Sequence, residues 1–438
     1  MTALADAVPF ADLAADVQRS GDEPGHISQL RREGVEHFAR VGIPTSKNEE
    51  WRFTPVRALG TTRFTAAGPS PALTPADIAP FLGAGSNGPL LVLVDGRYNA
   101  GLSRPGALRS AGSLKEYLAA DATGATVFNQ IVPLGSTPFS ALNTALWSDG
   151  IWLHLRRDEH VAQPIEILHV TTSAAAGAAI VPRALVLAER GASAAIVESF
   201  VSLADTAHFT NACMEIAVAE GARVEHVRVQ HESGAATHIG ITGVRQASDS
   251  HYRSCTLHLG ARLGRHDLQT RLAGQNIETL LYGLYLVSGE QLADNHTTIF
   301  HDEPHCNSWE VYKGVLAGHA RGVFNGKVIV QPAAQKTDAK QTNRNLLLSD
   351  HARVDTKPQL EIFADDVKCT HGATVGKLDE QQRFYLRSRG IAGDAAQNLL
   401  LWAFVADVLE SVTLPDVREM LARAVRTRLA ERMMPGTR

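Results

Sequence analysis

Ile165-Glu166-Ile167-Leu168-His169-Val170, Ala184-Leu185-Val186-Leu187-Ala188 and Val224-Glu225-His226-Val227-Arg228-Val229 are short runs rich in β-branched and aliphatic residues, each followed by a turn. They predict strands. From about Ile151 to Val367 this texture persists, and no long helical period survives. A loose turn signature recurs through the same region: Gly191-Ala192, Gly221-Ala222-Arg223, Gly260-Ala261-Arg262, Gly318-His319-Ala320-Arg321 and Asp350-His351-Ala352-Arg353. The intervals are irregular, roughly 30 to 60 residues, as when a chain coils repeatedly and some coils lack the signature. Such a chain fits a β-solenoid, in which each coil buries its inward side chains against its neighbours. A β-sandwich fits less well, because two-residue hairpin signals are scarce and Asn325-Gly326 is the best of them.

Outward from this core the period changes. Pro9 to Gln18 carries Phe10, Leu13 and Val17 at helical spacing, and a second helix runs through Leu30, Val35, Phe38 and Val41, with Ser28 as its cap and Pro44 beyond its end. Ala66 to Pro89 reads as a loop-rich connector, and Leu90 to Val94 as a buried strand entering the turn Asp95-Gly96. After Gly376 helical spacing returns. Asp379 with Gln382 resembles a capping box, Gly390 stands where a terminal glycine would, and Asp394 with Gln397 repeats the device. Leu400, Phe404, Val408 and Val412 then form a stripe, and Pro415 opens a last helix through Val417, Leu421, Val425 and Leu429. These helices either pack on the β core or face a partner. The division expected is therefore 1–149, mostly helical with a connector; 150–376, the β core; and 377–438, helical.

Composition narrows the function classes. The 438 residues are 44% hydrophobic and 20% charged, and 42 Lys+Arg against 46 Asp+Glu leave a net charge of −4. A nucleic-acid binder would show a basic excess or stripe, so none is expected. No apolar run is long enough to span a membrane, and Asp6, Asp12 and Asp16 interrupt any secretory pattern at the start. Four scattered cysteines, at 213, 255, 306 and 369, form neither a disulfide framework nor a Cys-x-x-Cys pair. Reduced thiols in the cytoplasm, mostly buried, are the expectation.

Chemistry concentrates between Asp294 and Gly376. His296 and His301 lie five apart, and His305-Cys306 is an adjacent pair; neither spacing aligns two ligands on one face. Cys369-Thr370-His371 differs, because residues i and i+2 of a strand share a face. Thiolate and imidazole together suit iron, zinc or copper. A buried thiol beside a hydrogen-bonded histidine stays open as the other reading. The chain supplies no compact four-ligand group, so a metal or cluster at this pair would need ligands from distant coils or another subunit. Two enzyme readings compete. One is a cysteine hydrolase with Cys369 attacking and His371 as base, for which no orienting third residue is visible. The other is a solenoid carbohydrate enzyme using Asp365-Asp366, which strand geometry would point to opposite faces.

Several ordered motifs resemble the SufB/SufD family: Tyr312-Lys313-Gly314-Val315-Leu316, Phe324-Asn325-Gly326-Lys327, Ala334-Gln335-Lys336-Thr337-Asp338-Ala339, Asn345-Leu346-Leu347-Leu348-Ser349 and Pro358-Gln359-Leu360-Glu361-Ile362. So do Ala364 to Thr374, which includes Cys369-Thr370-His371-Gly372-Ala373-Thr374, and Phe384 to Ile391. Near the start, Asn48 to Thr54 resembles the family's N-terminal segment. The Cys-x-His-Gly-Ala-Thr form is most similar to the SufD branch. The resemblance implies a mainly β fold, a right-handed parallel β-helix core flanked by N-terminal and C-terminal helical domains. It implies a non-catalytic scaffold subunit of the SUF machinery, pairing with a SufB-like protein through the β cores and with a SufC-like ATPase through the C-terminal helices; a homodimer also fits. An iron–sulfur cluster would be assembled transiently with those partners. Cys369 and His371 would serve as the interface and metal pair, completed by the partner. Leu400, Phe404, Val408, Leu421 and Val425 would form the ATPase docking surface. No Gly-x-x-x-x-Gly-Lys-Ser/Thr phosphate loop is present, which places ATP hydrolysis on the partner.

Overall fold

A computed structural model of the chain describes residues 10–19, 23–83, 87–120 and 127–432. It is mainly β, a solenoid of about eight turns with helices at both ends. Consecutive strands alternate between two facing sheets. On one sheet Ser193, Arg223, His251, Glu278, Asn307, Asp338 and Lys368 lie side by side, each opening a strand parallel to the last. On the other, Phe209, Thr237, Leu263, Leu292, Arg321 and Arg353 do the same. The chain thus returns to its register about every 30 residues, a regular repeat of the kind that stacks. Leu90–Val94 joins the first sheet beside Ile165–Thr171, and Ala111–Ser113 pairs antiparallel with Gly150–Leu155 on the second. The predicted turn Asp95-Gly96 is present, both residues with positive φ, and folds the chain back into Arg97–Tyr98.

The irregular turn signature resolves into two corners. At one, Asp158, Gly191, Gly221, Asp249, Asn276, His305 and Lys336 all take positive φ. Their backbone N–H groups donate to the next coil: Gly191 to Glu220 O at 3.1 Å, Gly221 to Ser248 O at 3.1 Å, His305 to Gln335 O at 2.9 Å and Lys336 to Asp366 O at 2.7 Å. At the other corner Ala261, Gly289 and Gly318 have positive φ. The sequence reading merged both corners into one signature. It saw few members because most left-handed positions of the first corner carry Asp, Asn, His or Lys instead of glycine. Asn325-Gly326 is no hairpin: it lies within the strand Arg321–Val330. Its glycine leaves room inside the coil, since a Cβ there would stand 2.2 Å from the Gln341 amide nitrogen.

Both outer faces are covered. Helix Gly25–Val41, helix Pro138–Leu146 and the segment around Trp51 pack Phe38, Phe139 and Trp51 on Phe209, Cys213, Ile239 and Ile241 of the second sheet. Pro9 lies outside the described residues, and the first helix is Ala11–Arg19. Ser28 is not a cap: the second helix starts at Gly25 behind Pro24, and the Ser28 hydroxyl donates to Glu23 at 3.1 Å. At the C-terminal end, Asp379 caps Glu380–Ser388 by accepting from the backbone of Gln381 and Gln382, and Gly390 follows with positive φ. Asp394 makes no cap, since Gly393–Glu410 begins after Ala392 without a side-chain cap bond. Pro415 opens the last helix, Pro415–Arg432. These two helices bury Leu401, Val405, Val408, Val412, Leu421 and Val425 against Val197, Val227, Leu257, Leu284 and Val315 of the first sheet.

Candidate functional site

Cys369 and His371 lie on Lys368–Gly376, the last strand of the first sheet. It pairs on one side only, with Asp338–Leu347, so its outer backbone groups have no strand partner. The facing sheet ends in the same way with Arg353–Ile362. The solenoid is therefore open at this end. Parallel register sets Cys369 beside Ala339 and His371 beside Gln341. Ala339 and Gln341 point inward and are buried, so the Cys369 and His371 side chains share the inward face of the terminal coil. Cys369 is half-buried and packs on the central apolar core; His371 is exposed. Added Cβ atoms at Gly372 and Gly376 would meet nothing, which leaves the strand end open to close approach.

The surroundings of the Cys369 thiol act on balance to raise it. Burial pushes the Cys369 thiol up, the Ala339 backbone N–H draws it back, and the Asp338 carboxylate adds to the rise. A nucleophilic cysteine needs the opposite shift. The carbohydrate-enzyme pair is also unformed: Asp365 and Asp366 are exposed in the turn before the strand, and Asp366 pairs with Lys336. Among the described residues no group of three or more His, Cys, Asp and Glu is arranged to hold a metal ion. A metal at Cys369 and His371 would find two ligands there, and the remainder would have to approach through the open end.

The other cysteines are free and buried, and burial pushes Cys213 and Cys255 up to about 12. His305 occupies a left-handed corner, while the Cys306 sulfur lies 3.2 Å from the Gly274 carbonyl. His301 is buried against the Ser308 hydroxyl at 2.9 Å. His296 belongs to a cluster that the sequence did not reveal. Its Nε2 lies 3.0 Å from Asp294 and its Nδ1 3.4 Å from Glu50, while Arg265 stacks 3.7 Å from the Trp51 ring and donates to the Glu50 carbonyl at 2.7 Å. The His296 hydrogen bond holds the Glu50 carboxyl down to about 2. Asn325 donates to Glu50 at 3.0 Å, so the Asn48–Thr54 motif and the Phe324–Lys327 motif recognise each other. Their separation by more than 270 residues hid this, and only their shared place on the outer face of the second sheet joins them.

Of the five apolar residues expected to dock a partner, Val408, Leu421 and Val425 are buried by the chain's own sheet. Leu400 and Phe404 are partly exposed, and Lys313 lies 4.9 Å from the Phe404 ring while donating to its carbonyl at 2.8 Å. The apolar surface left open on this end is made by Phe384, Tyr385 and Leu399, exposed by 73%, 57% and 49%. Val408 and Val412 of the expected stripe are buried, but in place of Leu400 and Phe404 the sheet takes Leu401 and Val405, because Leu399 to Val405 is apolar on every side of the helix.

Comparison with known proteins agrees with this geometry. Residues 169–404 match the family described as SUF system FeS cluster assembly, SufBD core domain. The chain is 34% identical over 434 residues to the iron-sulfur cluster assembly protein SufD of Escherichia coli K12, covering 97% of this chain and 96% of that protein. It is 34% identical over 421 residues to an iron-sulfur cluster assembly SufBD family protein of Synechocystis, covering 93% and 92%. Protein ABCI7, chloroplastic, of Arabidopsis thaliana is 38% identical over 248 residues, 56% of this chain and 52% of that protein. With its coiled β core capped by helices at both ends and this extent of similarity, the chain belongs to the SufBD family of iron–sulfur cluster assembly proteins.

Proposed function

We propose that this chain is a SufD-like, non-catalytic scaffold that offers half of a cluster-assembly site. One observation carries the reading: Cys369 and His371 share the inward face of a terminal strand paired on one side only, beside an open coil end, and no group of three or more ligands forms among the described residues. A second β-solenoid stacked on that end would supply both the missing strand pairing and the missing ligands. A SufB-like protein is the partner that the family relationship favours. The cluster is then cargo, built between the two chains and released. Separate parts of the chain take separate tasks: the helices before Gly150 seal one outer face, the β core presents the site, and the C-terminal helices receive a SufC-like ATPase on the surface around Phe384, Tyr385 and Leu399. A reducing cytoplasm suits four free thiols.

The test is co-expression with SufB- and SufC-like partners, followed by measurement of iron and sulfide per complex. Cys369→Ala and His371→Ala are expected to lower cluster content at least tenfold while the complex still assembles. Native cluster content in both variants would refute the half-site.

A further inference from the structure

Two rungs beneath His371 the interior holds a carboxyl with no basic partner. In register, Glu310 stands beside Gln341, and Gln341 beside His371. Neighbouring strands lie about 4.8 Å apart, so the three side chains form one inward column. Glu310 and Gln341 are buried. Other buried glutamates differ: Glu198 faces His169 at 3.3 Å and His226 at 3.4 Å, Glu232 faces His238 at 2.6 Å, and Glu215, on the outer face of the second sheet, meets Arg183 at 2.8 Å. Glu310 instead accepts a hydrogen bond from the Gln341 Nε2 at 2.7 Å. With no cation beside it, burial pushes its carboxyl up to about 7, against the pull of Thr297 and Gln341.

The amide of Gln341 is thereby oriented. Its NH2 end is used by Glu310, and its Oε1 is buried without a partner among the described residues. A buried unsatisfied carbonyl oxygen is costly and calls for a donor. Gly326 on the facing sheet leaves the space that the amide occupies, and the residue above Gly326 is Pro358, whose side chain offers no hydrogen-bonding group. On its own sheet the next rung is His371, whose ring carries an N–H in either tautomer.

We propose that Gln341, held by Glu310, is a positioning residue that accepts the ring N–H of His371. The opposite ring nitrogen is then unprotonated and directed to the open end, as a metal ligand requires. Histidine ligands are commonly fixed in this way through their second nitrogen. The inference rests on the reading of Cys369 and His371 as a half-site and adds two residues that the spacing of the sequence could not connect.

The experiment is nitrogen-15 NMR of the histidine-labelled full-length chain, with the His371 signals assigned by His371→Ala. At a pH chosen so that the imidazole is uncharged, native His371 is expected as a single tautomer. Gln341→Met removes the acceptor, and Glu310→Gln, equal in volume, frees the Gln341 amide to turn either way. Both variants should convert the His371 signal to a tautomer mixture, and Gln341→Met should lower cluster content of the co-expressed complex about tenfold. If Gln341→Met does not fold, Glu310→Gln alone decides. A tautomer mixture in the native chain, or an unchanged single tautomer in the variants, overturns the positioning role. Loss of cluster in His371→Ala beside unchanged tautomers would leave the half-site standing and remove this role alone. Unchanged cluster content in His371→Ala would remove the half-site while the tautomer result still stood.

Discussion

Glu310 is the residue whose cost can be measured most directly. Its carboxyl titrates near 7 in the folded chain against an ordinary value of 4.5. The folded state therefore holds the proton more tightly than the unfolded state. Its stabilising share is full below about pH 4.5 and is lost as pH rises toward 7. The loss is on the order of 2–3 kcal/mol at pH 8. Glu310→Gln does not titrate, so its stability relative to the native chain should rise by that amount between pH 5 and pH 8. Urea midpoints at the two values measure it, and a constant difference would show that no such burial cost exists. The shared face of Cys369 and His371 was legible at this scale from their i, i+2 spacing, and their candidacy as a site from the family resemblance. Glu310 and Gln341 were not, because in-register neighbours on parallel strands are about 30 residues apart and nothing local marks them.

Among the elements, the C-terminal helices bury one face on the first sheet and leave another exposed. Leu421 is fully buried on the first sheet, so Leu421→Ala should destabilise the chain by about 2–4 kcal/mol through lost apolar contact and a residual cavity. Leu399 is 49% exposed, so Leu399→Ala should stay within about 0.5 kcal/mol of native in urea melts. The same Leu399→Ala change should weaken capture of a SufC-like ATPase at least fivefold. Native binding by Leu399→Ala would place the docking surface elsewhere. The existence of a helix after Asp379 and of the last helix was readable from Asp379, Gly390 and Pro415, whose capping and breaking chemistry acts within a single turn. Which face packs was not readable, because Leu399 to Val405 offers apolar side chains all round and only the sheet beneath selects among them. The solenoid corners teach the converse. Gly191 and Gly221 announced a turn, yet Asp249, Asn276, His305 and Lys336 adopt the same left-handed backbone because the hydrogen bond to the next coil holds them there.

For the whole molecule, the asymmetry between its ends matters most. The N-terminal segment and both terminal helical regions cover the outer faces of the sheets, while the end formed by Lys368–Gly376 and Arg353–Ile362 is left with unpaired backbone and exposed Ile362, Phe363 and Val375. An uncovered parallel edge invites pairing with another chain. Val375→Lys places a charge in the middle of such a contact. It should reduce association with a SufB-like partner, and any self-association, at least tenfold by analytical ultracentrifugation, without moving the melting temperature of the free chain. Undiminished association would show that the contact lies away from the coil end.

The sequence by itself determined the coiled β core, the helices at both ends and the shared face of Cys369 and His371, because strand texture, capping residues and i, i+2 spacing are local and survive without tertiary context. The tertiary structure alone decided the two-corner register, the meeting of Glu50 and Trp51 with Arg265, His296 and Asn325, the packed face of the last helices, and the column from Glu310 through Gln341 to His371. Each of these joins residues brought together only when successive coils stack, so its partners are set by the register of the whole solenoid and by no pattern within a strand.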